Sequence, residues 1–286
     1  MAGLVKKFLA SASVVAGMSA VFGAPAMAAT FSPVGTDLIL REQVGTGFQV
    51  TNDLTQLNSI LQGDSSNPGG NVELGSSEGG NELAGVQADN IQGGIATFTN
   101  VTEDIYNDVT WQQTIGKAWF SDAWEQAVEK NSGANPLISA ANEALVYGMF
   151  SGPLFQGKSG FDLISDPNIS YINEVGNDVV VGLAGHFNLA DRFRFNHLLA
   201  TALKGVQMSE IFAYDINGVT GYGWSNVATE TGLADDDEAG SFSGNYEVVI
   251  EGGGGILSED VPEPSTILGL MAIGGLVAAT KRNSVK

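Results

Sequence analysis

The sequence ISYINEVGNDVVVGLAGH, residues 169–186, is the stretch that decides the fold class. It consists of two runs rich in isoleucine, valine and tyrosine that meet at Gly176 and Asn177. β-Branched and aromatic residues favour strands, and a Gly-Asn pair between two such runs is typical of a tight turn. We therefore predict an antiparallel β-hairpin with strands over 169–175 and 178–186.

Further strands are expected on both sides of this hairpin. Residues 206–214 and 219–227 flank the pair Asn217-Gly218, and Asn-Gly is the strongest short hairpin signal. Other segments with strand-like patterns are 36–50, 71–74, 83–101 (two strands) and 242–250. Short strands without a regular β-α repeat argue against a doubly wound sheet. The prediction is an α+β fold with largely antiparallel sheet, and a β-sandwich decorated by helices is the alternative.

About three helices should accompany the sheet in the body of the protein. Their apolar residues recur at helical spacing, and Asp53 and the pair Asn135-Pro136 are suitable helix starts. The candidate segments are 53–61, 111–130, 136–147 and 189–203. A signal helix at the N-terminus and a short hydrophobic helix at the C-terminus would add to these.

The charge of the chain excludes one class of partner. The formal net charge is -20, and between residues 30 and 260 seven basic residues stand against 31 acidic ones. Such a body repels nucleic acid and anionic lipid, and it favours solubility and cation binding. The chain has no cysteine, which excludes disulfides, thiolate catalysis and cysteine-ligated zinc. Nucleic acid is therefore not an expected partner.

Residues 1–29 have the pattern of a secretory signal peptide. Lys6 and Lys7 provide a positive start, and an apolar run follows over residues 8–23. Ala26, Ala28 and Ala29 then supply the small residues of a cleavage site. The pattern predicts export through the Sec machinery and a mature chain that begins near Ala29.

The C-terminal stretch VPEPSTILGLMAIGGLVAATKRNSVK, residues 261–286, has the features of a second targeting signal. Its 15 uncharged residues from 266 to 280 would rise only about 22 Å as a helix. A hydrocarbon core is about 30 Å thick, so the segment would be a marginal anchor. Lys281 and Arg282 would keep its distal end in the cytoplasm.

The Pro-Glu-Pro triplet, the uncharged segment 266–280 and the basic end together resemble the PEP-CTERM sorting signal of Gram-negative bacteria. Pro262, Glu263 and Pro264 match the triplet, and Lys281 and Arg282 match the basic end. The resemblance implies processing by an exosortase, a transient stay in the inner membrane, and association with extracellular polysaccharide at the cell surface or outside the cell.

The body also resembles PEP-CTERM proteins of photosynthetic bacteria that have no assigned activity. The similar segments are NPGGNVEL at 67–74, SDPNISYIN at 165–173, VGLAGHF at 181–187 and SGNYEVVIEG at 243–252. Four regions follow from the sequence: a signal peptide at 1–29, a secreted body at 30–251, a Gly-rich linker at 252–260 and the sorting signal at 261–286.

Few residues of the body form a recognisable chemical motif. The two histidines, His186 and His197, have no metal-ligand spacing with the intervening Asp191, so no metal site is predicted there. Trp111, Trp119, Phe120 and Trp124 lie near one helical stripe and are expected in the core.

Two alternatives use acidic residues. Glu103, Asp104 and Asp108 could act as paired carboxylates of a secreted carbohydrate-active hydrolase. The run Asp235, Asp236, Asp237 and Glu238 could bind calcium, although it lacks the regular ligand spacing and also fits a solvated loop. The favoured prediction is an exported surface or matrix protein without enzymatic activity or a required cofactor.

Overall fold

The computed structural model describes residues 29–254 except 52, 66–67, 76–80, 155 and 234–240. The predicted signal helix and the short C-terminal hydrophobic helix lie outside these residues. No helix within the described ranges has the length and apolar character needed to cross a membrane.

The strands of the described residues are short and follow one another in hairpins and longer connections. In chain order they are β1 (Thr30–Val34), β2 (Leu38–Val44), β3 (Gly47–Thr51), β4 (Gly70–Leu74), β5 (Gly85–Ile91), β6 (Gly94–Thr99), β7 (Asn168–Val175), β8 (Asp178–Gly185), β9 (Phe212–Ile216), β10 (Val219–Gly223), β11 (Ala228–Glu230) and β12 (Gly244–Ile250).

These strands form two antiparallel sheets. One sheet has the order β1-β5-β6-β9-β10, and the other has the order β11-β12-β8-β7-β4-β2-β3. The two predicted hairpins are confirmed: β7 pairs with β8 from Val175 opposite Asp178, and β9 pairs with β10 around Asn217 and Gly218. Asn217 and Gly218 have φ values of 54° and 89°, the left-handed backbone that a tight hairpin turn requires.

The helices lie between β3 and β4, between β6 and β7, and between β8 and β9. They are α1 (Leu57–Leu61), α2 (Glu103–Tyr106), α3 (Val109–Trp111), α4 (Lys117–Asn131), α5 (Glu143–Ser151) and α6 (His197–Ala202). A π-helical stretch, Gln112–Gly116, joins α3 to α4, so the helix predicted over 111–130 is confirmed. The architecture is the predicted α+β class.

Inner faces of both sheets contribute to one hydrophobic cluster, which we call the sandwich core. Fully buried members come from either sheet, with Val72 and Val181 in the larger and Phe98 and Phe212 in the smaller. Side chains alternate across a strand, so each sheet turns every second residue inward. The two sheets therefore pack face to face as a β-sandwich.

The helices enclose a second cluster, which we call the helical core. It is rich in aromatic rings, and Trp111, Trp119, Phe120 and Trp124 are all buried in it, as predicted. The ring of Trp119 stacks on Phe150 with centroids 5.7 Å apart. The predicted helical stripe is therefore the buried face of α3 and α4.

The helix predicted over 136–147 starts later and ends later than the sequence indicates. The Asn135 side chain accepts a hydrogen bond from the N–H of Leu137 at 2.9 Å, which closes a local turn in place of a helix cap. A short 3-10 turn, Ala140–Asn142, precedes α5. Gly148 does not end α5, because the helix continues through it to the cap at Gly152.

The two remaining predicted helices are present in shorter form. Asp53 caps a 3-10 turn, Leu54–Gln56, that leads into α1, because its side chain accepts a hydrogen bond from the N–H of Thr55. The segment 189–203 contains a 3-10 turn and then α6, which Asn196 caps by accepting a hydrogen bond from the N–H of Leu199 at 3.1 Å. The helix predicted there therefore begins several residues later than the sequence pattern indicates.

Candidate functional site

The carboxylates considered for hydrolysis lie at the starts of short helices. Glu103 and Asp104 form the first turn of α2, where Glu103 is half-buried and Asp104 is exposed. Asp108 is exposed and caps α3, because its Oδ1 accepts a hydrogen bond from the N–H of Trp111 at 2.9 Å. The Trp111 ring packs inward against Phe161, with centroids 5.1 Å apart. Helix capping therefore accounts for Asp108, and its aromatic neighbour faces the core.

The histidines do not come together with a set of metal ligands. His186 is buried just after β8, whereas His197 is exposed at the start of α6 and Asp191 accepts a hydrogen bond from Asn188 at 3.1 Å. Over the described ranges, no group of three or more His, Cys, Asp or Glu residues is arranged to hold a metal ion.

Several predicted site residues fall outside the described residues. They are the calcium candidates Asp235, Asp236, Asp237 and Glu238, the sorting residues Pro262, Glu263, Pro264, Lys281 and Arg282, and Ala26 and Ala28 of the cleavage site. Ala29 is described, and it packs half-buried against the sandwich core ahead of β1. The calcium site and the cleavage site remain predictions.

The structure reveals a polar cavity that sequence reasoning missed, which we call the Glu210 pocket. It has a volume of about 450 Å³. Three acidic residues line it, Glu73, Asp166 and Glu210, together with three basic ones, Arg41, Lys158 and Arg192. Asn168, His186, Ser241 and Phe242 complete the lining. The pocket thus brings opposite charges together at one place in a strongly acidic body.

The larger sheet provides one wall of the pocket. Glu73 in β4 lies opposite Asn168 at the start of β7, and Arg41 in β2 lies on the same face as Glu73. Their inward neighbours Leu40 and Val72 are buried in the sandwich core. The period of two along a strand therefore points these polar side chains away from the core and towards the pocket.

Connecting segments provide the rest of the lining. Asp166 lies just before β7, and Glu210 lies just before β9. The N–H of Ile211 donates to the carbonyl of Ile164 at 3.0 Å, and this bond ties the two segments together. Arg192 follows a 3-10 turn, Leu189–Asp191, and its Nε donates to the carbonyl of Leu163 at 2.9 Å. Backbone bonds therefore fix the positions from which these charges enter the pocket.

Two ion pairs order the charged side chains. The Arg41 guanidinium contacts the Glu73 carboxylate, and it lies 5.4 Å from the centroid of the Phe242 ring. Arg192 Nη2 lies 3.7 Å from Asp166 Oδ1. Asp166 is buried, and a buried carboxylate needs such compensation because its charge has lost hydration. The pairs hold planar groups against the cavity while leaving further hydrogen-bonding capacity on each.

Glu210 is an acid of the pocket with a perturbed pKa. Burial raises its pKa well above the ordinary value of 4.5, the negative charge of Asp166 raises it further, and the positive charge of Arg192 acts in the opposite direction. Its Oε2 atom and the Oδ1 atom of Asn168 are shielded from water and accept no hydrogen bond from the described residues. These two acceptor atoms therefore have no donor among the described residues.

A weak signal for this site exists in the sequence. Arg41, Lys158 and Arg192 are three of only seven basic residues between positions 30 and 260. Glu73 also lies between the apolar residues Val72 and Leu74, which indicates an outward-facing position. No local pattern places these residues together, because the pairing of distant strands and loops does so.

Comparison with known proteins identifies the C-terminal region. A family model described as the PEP-CTERM protein-sorting motif matches residues 260–283. This range includes Pro262, Glu263, Pro264, Lys281 and Arg282, so the resemblance at the C-terminus is confirmed.

The rest of the chain has no match among the other proteins compared. No curated protein and no solved structure matches the chain. The resemblance of the body to proteins of photosynthetic bacteria stays a prediction. The chain carries a PEP-CTERM sorting motif, which supports an exported protein that an exosortase sorts.

Proposed function

We propose that the protein is a cell-surface or extracellular-matrix component with a binding role and no enzymatic activity. The observation that carries this proposal is the sorting motif at residues 260–283. The signal-peptide pattern at the other end of the chain supports export. The acidic body, with 31 acidic and seven basic residues between positions 30 and 260, suits contact with cations and hydrated polysaccharide.

The tail supports a transient stay in the membrane. Its uncharged segment, 266–280, is shorter than the roughly 20 residues of a stable transmembrane helix. Lys281 and Arg282 retain its end on the cytoplasmic side, which leaves Pro262, Glu263 and Pro264 at the outer side for processing. Release of the body would follow cleavage in this region.

The sorting role is tested by comparing the full chain with a chain that lacks residues 262–286, both expressed in the host. We expect the full chain to reach the cell surface or medium without its tail, as measured by intact mass. The truncated chain should be exported without passing through the membrane-bound stage. Ser284→Ala is the control, because it changes the tail outside the triplet and the basic end, and it should be processed like the wild type. A mature surface protein that keeps residues 262–286 would contradict the proposal.

A hydrolase is the second candidate, and one observation favours it. Glu73, Asp166 and Glu210 line a single pocket, and the raised pKa of Glu210 is a property of general acids. The test incubates the full chain with the host's exopolysaccharide and measures new reducing ends. Release that Glu210→Gln abolishes would establish the hydrolase. Binding without release supports the non-enzymatic role.

A further inference from the structure

The lining of the Glu210 pocket restricts the chemistry of any ligand. Small-molecule sites of roughly 300–1,000 Å³ are ordinarily lined mostly by apolar side chains. This pocket, at about 450 Å³, has Phe242 as its only apolar residue among those described. An apolar ligand would desolvate charged groups without replacing their hydrogen bonds, which is unfavourable. The occupant must therefore be densely polar.

The charges of the pocket argue against a simple anion or cation. Arg41 is paired with Glu73, and Arg192 is paired with Asp166. Lys158 and Glu210 are the remaining basic and acidic residues of the lining, one of each kind, so the ligand has no large excess charge to neutralise. Each guanidinium and carboxylate still has hydrogen-bonding capacity beyond its ion pair. The pocket therefore favours an uncharged ligand that forms many hydrogen bonds with the planar guanidinium and carboxylate groups.

The side chains of the lining indicate which hydrogen-bonding groups the ligand carries. Carboxylate oxygens come from Glu73, Asp166 and Glu210, N–H donors come from Arg41, Lys158 and Arg192, and the Asn168 amide can both donate and accept. Hydroxyl groups both donate and accept, and they match carboxylate, amide and guanidinium groups together.

We propose that the Glu210 pocket binds a neutral saccharide unit, a mono- or disaccharide segment of a glycan. This inference rests on the proposed binding role and assigns it to one site and one ligand class. Asn168 and Glu73 recognise hydroxyl groups from the sheet, and Glu210 recognises them from the segment before β9. Phe242, whose ring lies beside the Arg41 guanidinium, borders the sugar.

The test measures binding by calorimetry with the purified full chain. The probes are cellobiose, maltose, lactose, a disaccharide that contains a uronic acid, and inorganic phosphate. We expect at least one neutral disaccharide to bind more tightly than phosphate. Glu210→Met keeps the side-chain volume but removes both oxygens, so it should weaken binding about tenfold or more. Glu210→Gln keeps an acceptor and a donor and should stay within about threefold of the wild type.

Glu129→Gln is the matched control, because Glu129 is an exposed glutamate in α4 that does not line the pocket. It should leave binding unchanged, and circular dichroism should show that all variants are folded. Equal affinity of wild type and Glu210→Met, preferential binding of phosphate, or no binding of any saccharide at millimolar concentrations would overturn the proposal. These outcomes are independent of the processing of the tail, so failure here is distinguishable from failure of the sorting role.

Discussion

The sandwich core and the helical core of this protein are held together in different ways. In the sandwich, ladders such as β7 with β8 satisfy the backbone, and the buried side chains are largely aliphatic. In the helical core, buried indoles also donate hydrogen bonds to the backbone of distant segments. Trp119 Nε1 donates to the carbonyl of Ser209 at 2.8 Å, and Trp124 Nε1 donates to the carbonyl of Ser139 at 3.1 Å.

The difference follows from the length of the elements. Apart from α4, the helices are short, and the connections between them leave buried carbonyls without a regular partner. An indole supplies both a large apolar surface and one N–H donor, so it meets both needs at once. Glu210 comes directly after Ser209, so the donor from Trp119 also helps to fix the segment that forms one wall of the pocket.

Trp119→Ala should be the most destabilising of the changes considered. Trp119 is 1% exposed, and its removal leaves a cavity beside Phe150 and an unsatisfied carbonyl at Ser209. We expect a loss of about 3–5 kcal/mol in the free energy of unfolding, measured by urea denaturation. Trp119→Phe keeps a ring but loses the donor, and it should cost about half as much. Equal losses would show that the hydrogen bond outweighs the packing.

Glycine-to-alanine substitutions compare how well the sandwich core and the helical core tolerate an added methyl group. An alanine Cβ at Gly182 in β8 would overlap the ring of Tyr171, and one at Gly160 would overlap the ring of Phe150. Strand pairing on both sides fixes Gly182, whereas Gly160 lies in a connection outside any strand. We expect Gly182→Ala to cost about 1–3 kcal/mol of unfolding free energy and Gly160→Ala to cost less.

Gly133→Ala is the control for both substitutions, because nothing lies within 4 Å of a Cβ at that position. It should change the free energy of unfolding by less than about 0.5 kcal/mol. A larger effect of Gly160→Ala than of Gly182→Ala would reverse the comparison. The helical core would then be the more rigidly packed region.

Most of the sandwich could be predicted from the sequence, apart from two of its edge strands. Asn217-Gly218 and the valine-rich run that became β8 carry local turn and strand signals, and both are in place. The edge strands β1 and β11 were not predicted. β1 contains Pro33, which strands accept at an edge but which weakens a sequence-based assignment. β11 has three residues, too few for a recognisable period.

The pocket could not be predicted because its residues share no local pattern. Arg41 and Glu73 meet through the pairing of β2 with β4, and Asp166 and Arg192 meet through loop packing. The shielding of the Glu210 carboxylate also depends on tertiary structure, since its own segment is short and mixed in polarity. By contrast, the sorting residues lie in one short stretch of the chain, so the sequence is sufficient to identify them.

Glu210 should make the free energy of unfolding depend on pH. Its pKa is raised on folding, so the folded state binds a proton more strongly than the unfolded state. This stabilisation is complete below the ordinary value of 4.5 and is lost as the pH rises through the folded-state pKa. Glu210→Gln should remove a slope of up to about 1.4 kcal/mol per pH unit within that window.

The measurement is the free energy of unfolding at a series of pH values for wild type and variant. Glu103→Gln is the control, and it should keep the wild-type slope. The other charged or titratable lining residues are Arg41, Glu73, Lys158, Asp166, His186 and Arg192, so any slope that remains in Glu210→Gln comes from groups other than Glu210. Identical slopes for wild type and Glu210→Gln would show that Glu210 keeps its charge when folded.

Substitutions at Asp108 should have the smallest effect, and they distinguish a helix cap from a catalytic carboxylate. Its side chain accepts a hydrogen bond from the N–H of Trp111 at 2.9 Å and so supports the start of the helix that leads into the helical core. Asp108→Ala should lower the free energy of unfolding by about 1 kcal/mol, and Asp108→Asn should be nearly neutral because asparagine caps equally well. Asp104→Ala, at an exposed position in the first turn of α2, should cost less than about 0.5 kcal/mol. Suppose that the wild-type chain cleaved glycan and Asp108→Asn abolished this cleavage without changing the free energy of unfolding. The Asp108 carboxylate would then be catalytic. The capping explanation would then be insufficient.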